Sequence, residues 1–471
     1  MNTPDAILSF RGIAYAAPPT GVARWERPRE APRPTAPRDF TRFGNACPQA
    51  PSMLDRIAGG SIGAQSEDCL YLNIWTPSVE GKRPVLVWLH GGAFLFGAGH
   101  QGVYDGTRLA KRDCVVVTIN YRLGAFGFLA LDGVSRGDEG LHDQIAAFRW
   151  VKANIASFGG DPGNVTLFGE SAGGMSVAAL MAMPEAQSLF HKAIPQSGAG
   201  HIGHDPEQAA RVAHALTEKL GTRDPDRLRT LPAETVLNAQ LALMVDVRLN
   251  KIKLGAMPFQ PMTQGKPIDA IRAGSAKGVP MLTGTTRDEW RLFTGVDPRL
   301  RFLSAAKFAE RAKRLGKDDA DLAAIYNQGS GFDRFNAMMT DKAFWVPATR
   351  LLDAQSAHAP VYAYRFDWRS PFLGGLLGSC HALELGFVFG THKDGRHGTF
   401  FGKGPAAEAL ANAMMDAWAA FARTGDPGWP RYDTAWRETM IFGDGAPHII
   451  CGPDEARRKI WDTIPERKLG P

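Results

Sequence analysis

Three apolar runs of strand length, Pro84-Val-Leu-Val-Trp-Leu89, Cys114-Val-Val-Val-Thr-Ile-Asn120 and the shorter Asn164-Val-Thr-Leu-Phe168, constrain this chain more than any other feature. They lack the polar alternation of a strand with one wet face, so each must bury both faces between layers of helix. Between the second and third, Leu141 to Phe158 carries Ile145, Phe148, Val151, Lys152 and Ile155 at helical spacing. Strand, helix, strand is the βαβ unit, and its repetition predicts an α/β fold with a mostly parallel, doubly wound sheet.

The second half is richer in helix. Glu207 to Leu220, Ala305 to Leu315 and Ala406 to Arg423 read as amphipathic helices, the last stopping before Gly425. The Pro-rich stretch Pro28 to Pro37 reads as an extended surface segment and not a linker, because strand-like patterns continue on both sides. The economical expectation is one domain over residues 1–471, with helical insertions at roughly 200–280 and 295–360.

Bulk properties exclude several classes. The formal charge is +6, but Lys and Arg are scattered, so a solvated surface is expected and no nucleic-acid partner. No run of about 18 apolar residues occurs, so no membrane span is expected. The start, Met1 to Phe10, has neither a basic n-region nor a long apolar h-region, so a signal peptide is not expected and a cytoplasmic location is. Removal of a leader would instead allow a secreted or periplasmic one. The five cysteines form no C-x-x-C pair, so zinc and thioredoxin-like chemistry have no support. No metal or organic cofactor is expected, and a monomer acting on a small molecule is.

Gly169-Glu-Ser-Ala-Gly173 fits G-x-S-x-G, a weak signal alone, since Gly59-Gly-Ser-Ile-Gly63 fits it too. Context separates them. The first follows the apolar run Val165 to Phe168 and precedes Gly174-Met-Ser-Val-Ala-Ala-Leu-Met, which reads as a helix. In such a strand–turn–helix, glycines on either side let a strained turn lift the serine hydroxyl clear of the sheet. The second follows Asp55-Arg-Ile-Ala with no strand before it and reads as a loop. Ser171 is therefore the candidate nucleophile. The helix start behind it aims backbone N–H groups at the reacting centre, with Ala172 as one donor. His90-Gly-Gly-Ala-Phe94, just after the run Val85 to Leu89, is the glycine-rich loop expected to supply the others.

An acid and then a histidine should follow along the chain. Asp288 and Glu289, after the run Val279 to Leu282, compete for the first role, and spacing cannot choose between neighbours. Of the histidines beyond them, His358, His381, His392, His397 and His448, His381 enters an apolar segment, whereas His392 and His397 belong to the stretch around Lys393-Asp-Gly-Arg-His-Gly398, which reads as an exposed turn.

Taken together these motifs resemble the type B carboxylesterases, the family that includes bacterial para-nitrobenzyl esterases and the cholinesterases. Phe10-Arg-Gly-Ile-Ala-Tyr-Ala-Ala-Pro-Pro19, Glu67-Asp-Cys-Leu-Tyr-Leu-Asn-Ile-Trp-Thr-Pro77, Asn120-Tyr-Arg-Leu-Gly124 and Phe158 to Gly173 are similar to its signatures and occur in its order. The resemblance implies an α/β-hydrolase fold and a serine carboxylesterase. It implies Ser171 as nucleophile, Glu289 and not Asp288 as the acid, and His381 as the base. Gly92, Ala93 and Ala172 are the implied oxyanion donors. It further implies a disulfide between Cys47 and Cys69, an ion pair between Arg24 and Glu67, and a buried Ser197 behind the catalytic groups.

Three departures stand out. Most of the family's opening hairpin before Phe10 is missing, and Trp290 replaces the usual glycine after the acid. The Cys47–Cys69 loop has no tryptophan and carries Arg56, so small to medium neutral esters are expected as substrates and choline esters are not. Candidate pocket walls are Phe94, Phe96, Trp290, Phe293, Phe372 and Leu376.

Overall fold

The computed structural model describes residues 6–32, 38–51, 62–295, 297–315 and 322–469. Among them the strands are β1 (Leu8–Ala14), β2 (Tyr71–Thr76), β3 (Arg83–Leu89), β4 (Val115–Ile119), β5 (Ala130–Leu131), β6 (Ser135–Arg136), β7 (Gly160–Glu170), β8 (Lys192–Gln196), β9 (Met281–Thr286), β10 (Val361–Phe366), β11 (Glu438–Phe442) and β12 (His448–Cys451). Apart from the β5–β6 hairpin they form one sheet in the order β1-β2-β4-β3-β7-β8-β9-β10-β11-β12. Pairing is parallel from β4 through β11 and antiparallel at both margins, β1–β2–β4 and β11–β12.

The central strands bury both faces, as their composition requires. Val85, Val87, Val115, Val117 and Val165 point into one core, which takes Leu141, Ile145 and Phe148 from the helix Glu139–Asn154. Their neighbours Leu86, Trp88, Val116 and Phe168 point into the other, with Leu410, Met414 and Trp418 of the helix Pro405–Thr424. The period-2 alternation of a strand thus feeds two separate cores, and helices must lie on both sides of the sheet. This is the arrangement of the α/β-hydrolase fold.

Local signals set the helix ends. Pro206–Leu220 begins with Asp205, whose carboxylate accepts from Gln208 N–H, and with Pro206 in the first turn; it stops at Gly221, at φ 68°. Pro405–Thr424 stops likewise at Gly425, φ 81°. The expected helix from Leu141 to Phe158 is α-helical only to Asn154; a 3₁₀ turn, Ile155–Phe158, then leads to Gly159 at φ 74°. The stretches between β8 and β9 and between β9 and β10 hold most of the additional helices, including Ala233–Arg248, Ala305–Leu315, Gly331–Thr340 and Val346–Ser356.

Two ion pairs tie the loops around β2 and β4. Arg24 meets Glu67 in two contacts, 2.6 and 2.5 Å long. Asp143 accepts from the backbone N–H of Arg122 at 3.0 Å and from its guanidinium at 2.8 and 2.7 Å, with both side chains buried. Cys47 and Cys69 are buried in the same cluster and bear free thiols, not a disulfide, and the Cys47 sulfur accepts from the Leu123 N–H at 3.3 Å. Of the Pro-rich segment, residues 33–37 lie outside the described residues, as do Gly59, Gly60 and Ser61 of the second G-x-S-x-G and Arg56. Among the described residues no helix is long and apolar enough to cross a membrane.

Candidate active site

The site lies at the carboxyl ends of the parallel strands, where loops leave the sheet in different directions and open a crevice. β7 ends at Glu170, Ser171 follows at φ 56° and ψ −122°, and the helix Ala172–Ala182 begins at the next residue. Such a conformation is strained for a side chain, and the flanking glycines make it feasible. A Cβ on Gly173 would stand 2.0 Å from the Leu89 carbonyl oxygen, so the elbow could not approach β3 with any other residue there. The Ser171 N–H donates to Gln196 O at 2.9 Å and pins the turn to β8.

Glu289 lies beyond the end of β9, fully buried. Its Oε2 is 2.6 Å from His381 Nδ1. Its Oε1 accepts from the Ser197 hydroxyl at 2.6 Å and from the Thr286 N–H at 2.8 Å. Ser197 thus holds the carboxylate from behind. Asp288 turns the other way: its Oδ2 accepts from the Ser379 N–H at 2.9 Å, which staples the histidine loop in place. The geometry separates two neighbours that spacing could not.

His381 is enclosed by carboxylates. Its Nε2 lies 3.1 Å from Glu170 Oε1, near enough for ion-pair attraction without the alignment of a hydrogen bond. Burial alone would lower the imidazole pKa; Glu170 and then Glu289 outweigh it and raise it to about 9. Burial in turn pushes the Glu170 carboxyl up to about 7, and Glu384 is held well above the usual carboxylate range by burial and by Glu170. Among the described residues no hydrogen bond reaches the Ser171 hydroxyl, a common state before substrate tightens the site. Sequence reasoning missed Glu170 and Glu384, although Glu170 stands inside the G-x-S-x-G motif itself.

The loop after β3 turns back through three consecutive left-handed residues, Gly92 (φ 112°), Ala93 (φ 54°) and Phe94 (φ 61°). Gly92 and Ala93 line the cavity in front of Ser171, and their N–H groups find no acceptor among the described residues. Ala172 is the first residue of its helix, where N–H groups have no intrahelical partner. Gly92 and Ala93 thus share the cavity wall with Ser171, and Ala172 follows the serine directly in the chain.

A cavity of about 460 Å³ opens over these groups. Of the expected wall residues, Phe96, Trp290 and Phe293 line it. Phe94, Phe372 and Leu376 do not. The left-handed turn at Phe94 sends its ring down onto Phe128, 4.9 Å away, and it is fully buried. Phe372 packs behind Phe400, and Leu376 joins the core around Leu303 and Phe332. Tyr104, Met257, Phe344, Phe400 and Phe401 complete the wall from distant segments. The Phe344 ring lies 4.7 Å from the His381 ring, tilted by 41° to it. With aromatic rings arriving from elsewhere, the Cys47–Cys69 loop by itself does not decide whether a cation binds. The turn Lys393–Arg396 is largely exposed, as expected, but the histidines at its two ends, His392 and His397, are buried.

Comparison with known proteins agrees with this geometry. Residues 1–446 match the family model described as "Carboxylesterase family". The chain is 41% identical to the para-nitrobenzyl esterase of Bacillus subtilis over 98% of its own length and 96% of the relative's. It is 34% identical to the phenmedipham hydrolase of Pseudarthrobacter oxydans, covering 96% and 95% of the two chains. Among solved structures, a thermophilic para-nitrobenzyl esterase superposes with a TM-score of 0.87 at 38% identity, and a Geobacillus stearothermophilus carboxylesterase with 0.86 at 40%, each covering 98% of this chain and 97% of the other. The chain belongs to the carboxylesterase family and is a carboxylic ester hydrolase of the α/β-hydrolase fold.

Proposed function

We propose that this protein hydrolyses small to medium neutral carboxylic esters, aryl esters included, through an acyl-enzyme on Ser171. The reading rests on one observation above all: Glu289 is hydrogen-bonded to His381 Nδ1, and the other face of that imidazole opens, beside Ser171, into a largely apolar cavity. Because Glu289 accepts the Nδ1 proton, it is Nε2 that carries the lone pair once the imidazolium beside Glu170 has lost its other proton, and Nε2 then acts as base. His381 takes the Ser171 proton as Oγ attacks the ester carbonyl, and Glu289 stabilises the imidazolium. The oxyanion is bound by the N–H groups of Gly92, Ala93 and Ala172, each typically contributing about 10²–10³ in kcat. The imidazolium then protonates the departing alcohol. Water, activated by the same histidine, releases the acid and restores the serine. These steps use only side chains, backbone donors and water, and one chain carries every group they need, so monomeric activity is expected.

Apolar walls favour uncharged acyl and aryl groups, since a charge there would lose its hydration without a partner. The para-nitrobenzyl ester named for one relative is of this kind. A panel of para-nitrophenyl esters from acetate to palmitate tests the reading, with turnover expected to be best for the shorter chains. Ser171→Ala should abolish hydrolysis and leave the thermal midpoint nearly unchanged. Wild-type turnover in that variant, or no hydrolysis across the panel, overturns the reading.

A further inference from the structure

One polar group on the cavity wall is used by none of these steps. His397 is 7% exposed and lines the cavity beside Phe400 and Phe401, its ring edge-on to Phe401 at 5.7 Å. Its Nδ1 lies 2.9 Å from the Thr391 carbonyl oxygen. A carbonyl oxygen only accepts, so Nδ1 carries the proton, and Nε2 of the neutral ring presents a lone pair. Among the described residues nothing reaches that Nε2. Gln101 and Tyr104, on the same wall, are both already engaged. Gly102 faces the ring with no side chain, and even a Cβ there would stop 3.9 Å from His397 Cε1, so the approach to the ring is open.

The ring is held in place by the loops around it. The Thr391 hydroxyl donates to Val103 O at 2.9 Å, tying the histidine's own anchor to the 3₁₀ turn Gly102–Tyr104 across the wall. Arg108 grips Asp394 with two bonds of 2.6 and 2.7 Å and donates to Gly390 O at 2.9 Å. Ser370 and Trp368 donate to the carbonyls of Phe400 and Phe401 at 2.6 and 2.7 Å. An imidazole anchored through Nδ1 in a braced cavity wall, with no partner on Nε2 among the described residues, has the character of a preorganised recognition group.

We infer that His397 Nε2 accepts a hydrogen bond from the substrate, and that the esters this site favours carry a hydroxyl or amide N–H on the arm lying along the Gly102–Phe401 wall. The inference rests on the serine esterase reading and narrows its substrate class. An arm without a donor displaces water from that nitrogen without replacing its hydrogen bond, which costs affinity in proportion to how dry the cavity becomes.

Two matched pairs of esters test this and locate the donor: 4-nitrophenyl hexanoate against its 6-hydroxy counterpart for the acyl arm, and hexyl butyrate against 6-hydroxyhexyl butyrate for the alcohol arm. The wild type should prefer the hydroxylated member of one pair by about five- to tenfold in kcat/KM. His397→Asn can keep a donor for Thr391 while removing the Nε2 acceptor, and should bring that ratio close to one. His397→Gln returns an acceptor near the Nε2 position and should retain the preference. A wild-type ratio near one in both pairs overturns the inference, as does a preference that survives His397→Asn. Equal losses on both members of a pair, with the ratio unchanged, mark a structural role and also overturn it. The plain esters keep the two readings apart: their hydrolysis upholds the esterase assignment whatever the ratios, and failure on all four esters defeats both.

Discussion

Glu289 Oε2 and His381 Nδ1 are 2.6 Å apart, and the same carboxylate is gripped from behind by Ser197 and Thr286. Asp288, one residue earlier, bonds instead to the backbone of Ser379. Glu289→Gln should therefore lower kcat by about 10⁴, from loss of imidazolium stabilisation and of the correct tautomer. Asp288→Asn should cost far less, because it only loosens a loop. Steady-state kinetics on one activated ester compares them, and a larger loss for Asp288→Asn would reverse the assignment.

Glu170 should set the pH range over which His381 can serve as the proposed base. His381 must be neutral to accept a proton, so activity should rise with pH as the imidazole loses its own. Burial opposes that charge, and the neighbouring carboxylates of Glu170 and Glu289 hold it on, to about 9. Glu170→Gln removes the negative group 3.1 Å from Nε2. The acid limb of kcat/KM should then move to lower pH by roughly one unit. A limb that stays in place or moves upward contradicts this account.

Stability should depend heavily on the Arg122–Asp143 pair. Both side chains are buried, and Asp143 satisfies three N–H groups of one arginine. Asp143→Ala strands a guanidinium in the core and should cost about 3–5 kcal/mol, measured by urea denaturation. Replacing both residues by apolar ones of similar volume should cost clearly less than the single change.

Thiol chemistry should distinguish the cysteines. Cys451 is exposed, while Cys47, Cys69, Cys114 and Cys380 are buried. In the native protein one thiol should react quickly with an aromatic disulfide reagent, and five only after unfolding. Cys47 and Cys69 belong to one buried cluster, and oxidation should join them, stabilising their loop of roughly twenty residues by about 3 kcal/mol. A thiol count that does not fall by two after oxidation rules the pairing out.

The fold was legible because burial of both faces leaves a mark on each central strand. Val115, Val116 and Val117 are all apolar, a composition that only a covered sheet requires, and the Ser171 elbow was readable because a strand, two glycines and a helix meet within a few residues. The Pro405–Thr424 and Ala305–Leu315 helices followed from local periodicity and punctuation. Asp288 and Glu289 lie outside that logic. They share a composition and a position, and their roles differ only because the backbone after β9 turns one carboxylate inward.

What the sequence determined by itself was therefore local: the strands, the nucleophile's turn, the glycine loop before it, and through resemblance the family and its order of catalytic groups. What only the tertiary structure decided was which distant side chains meet. Phe94 and Phe96 are two residues apart, yet a left-handed turn sends one to the core and the other to the cavity. Phe344 and Met257 reach the cavity from the helical insertions, with no mark in the residues around them. His397 follows an exposed turn of charged residues, yet its own ring is buried beside Phe401 on the cavity wall. Periodicity encodes which face of an element is buried; it does not encode which element lies opposite, because that depends on contacts between residues far apart in the chain.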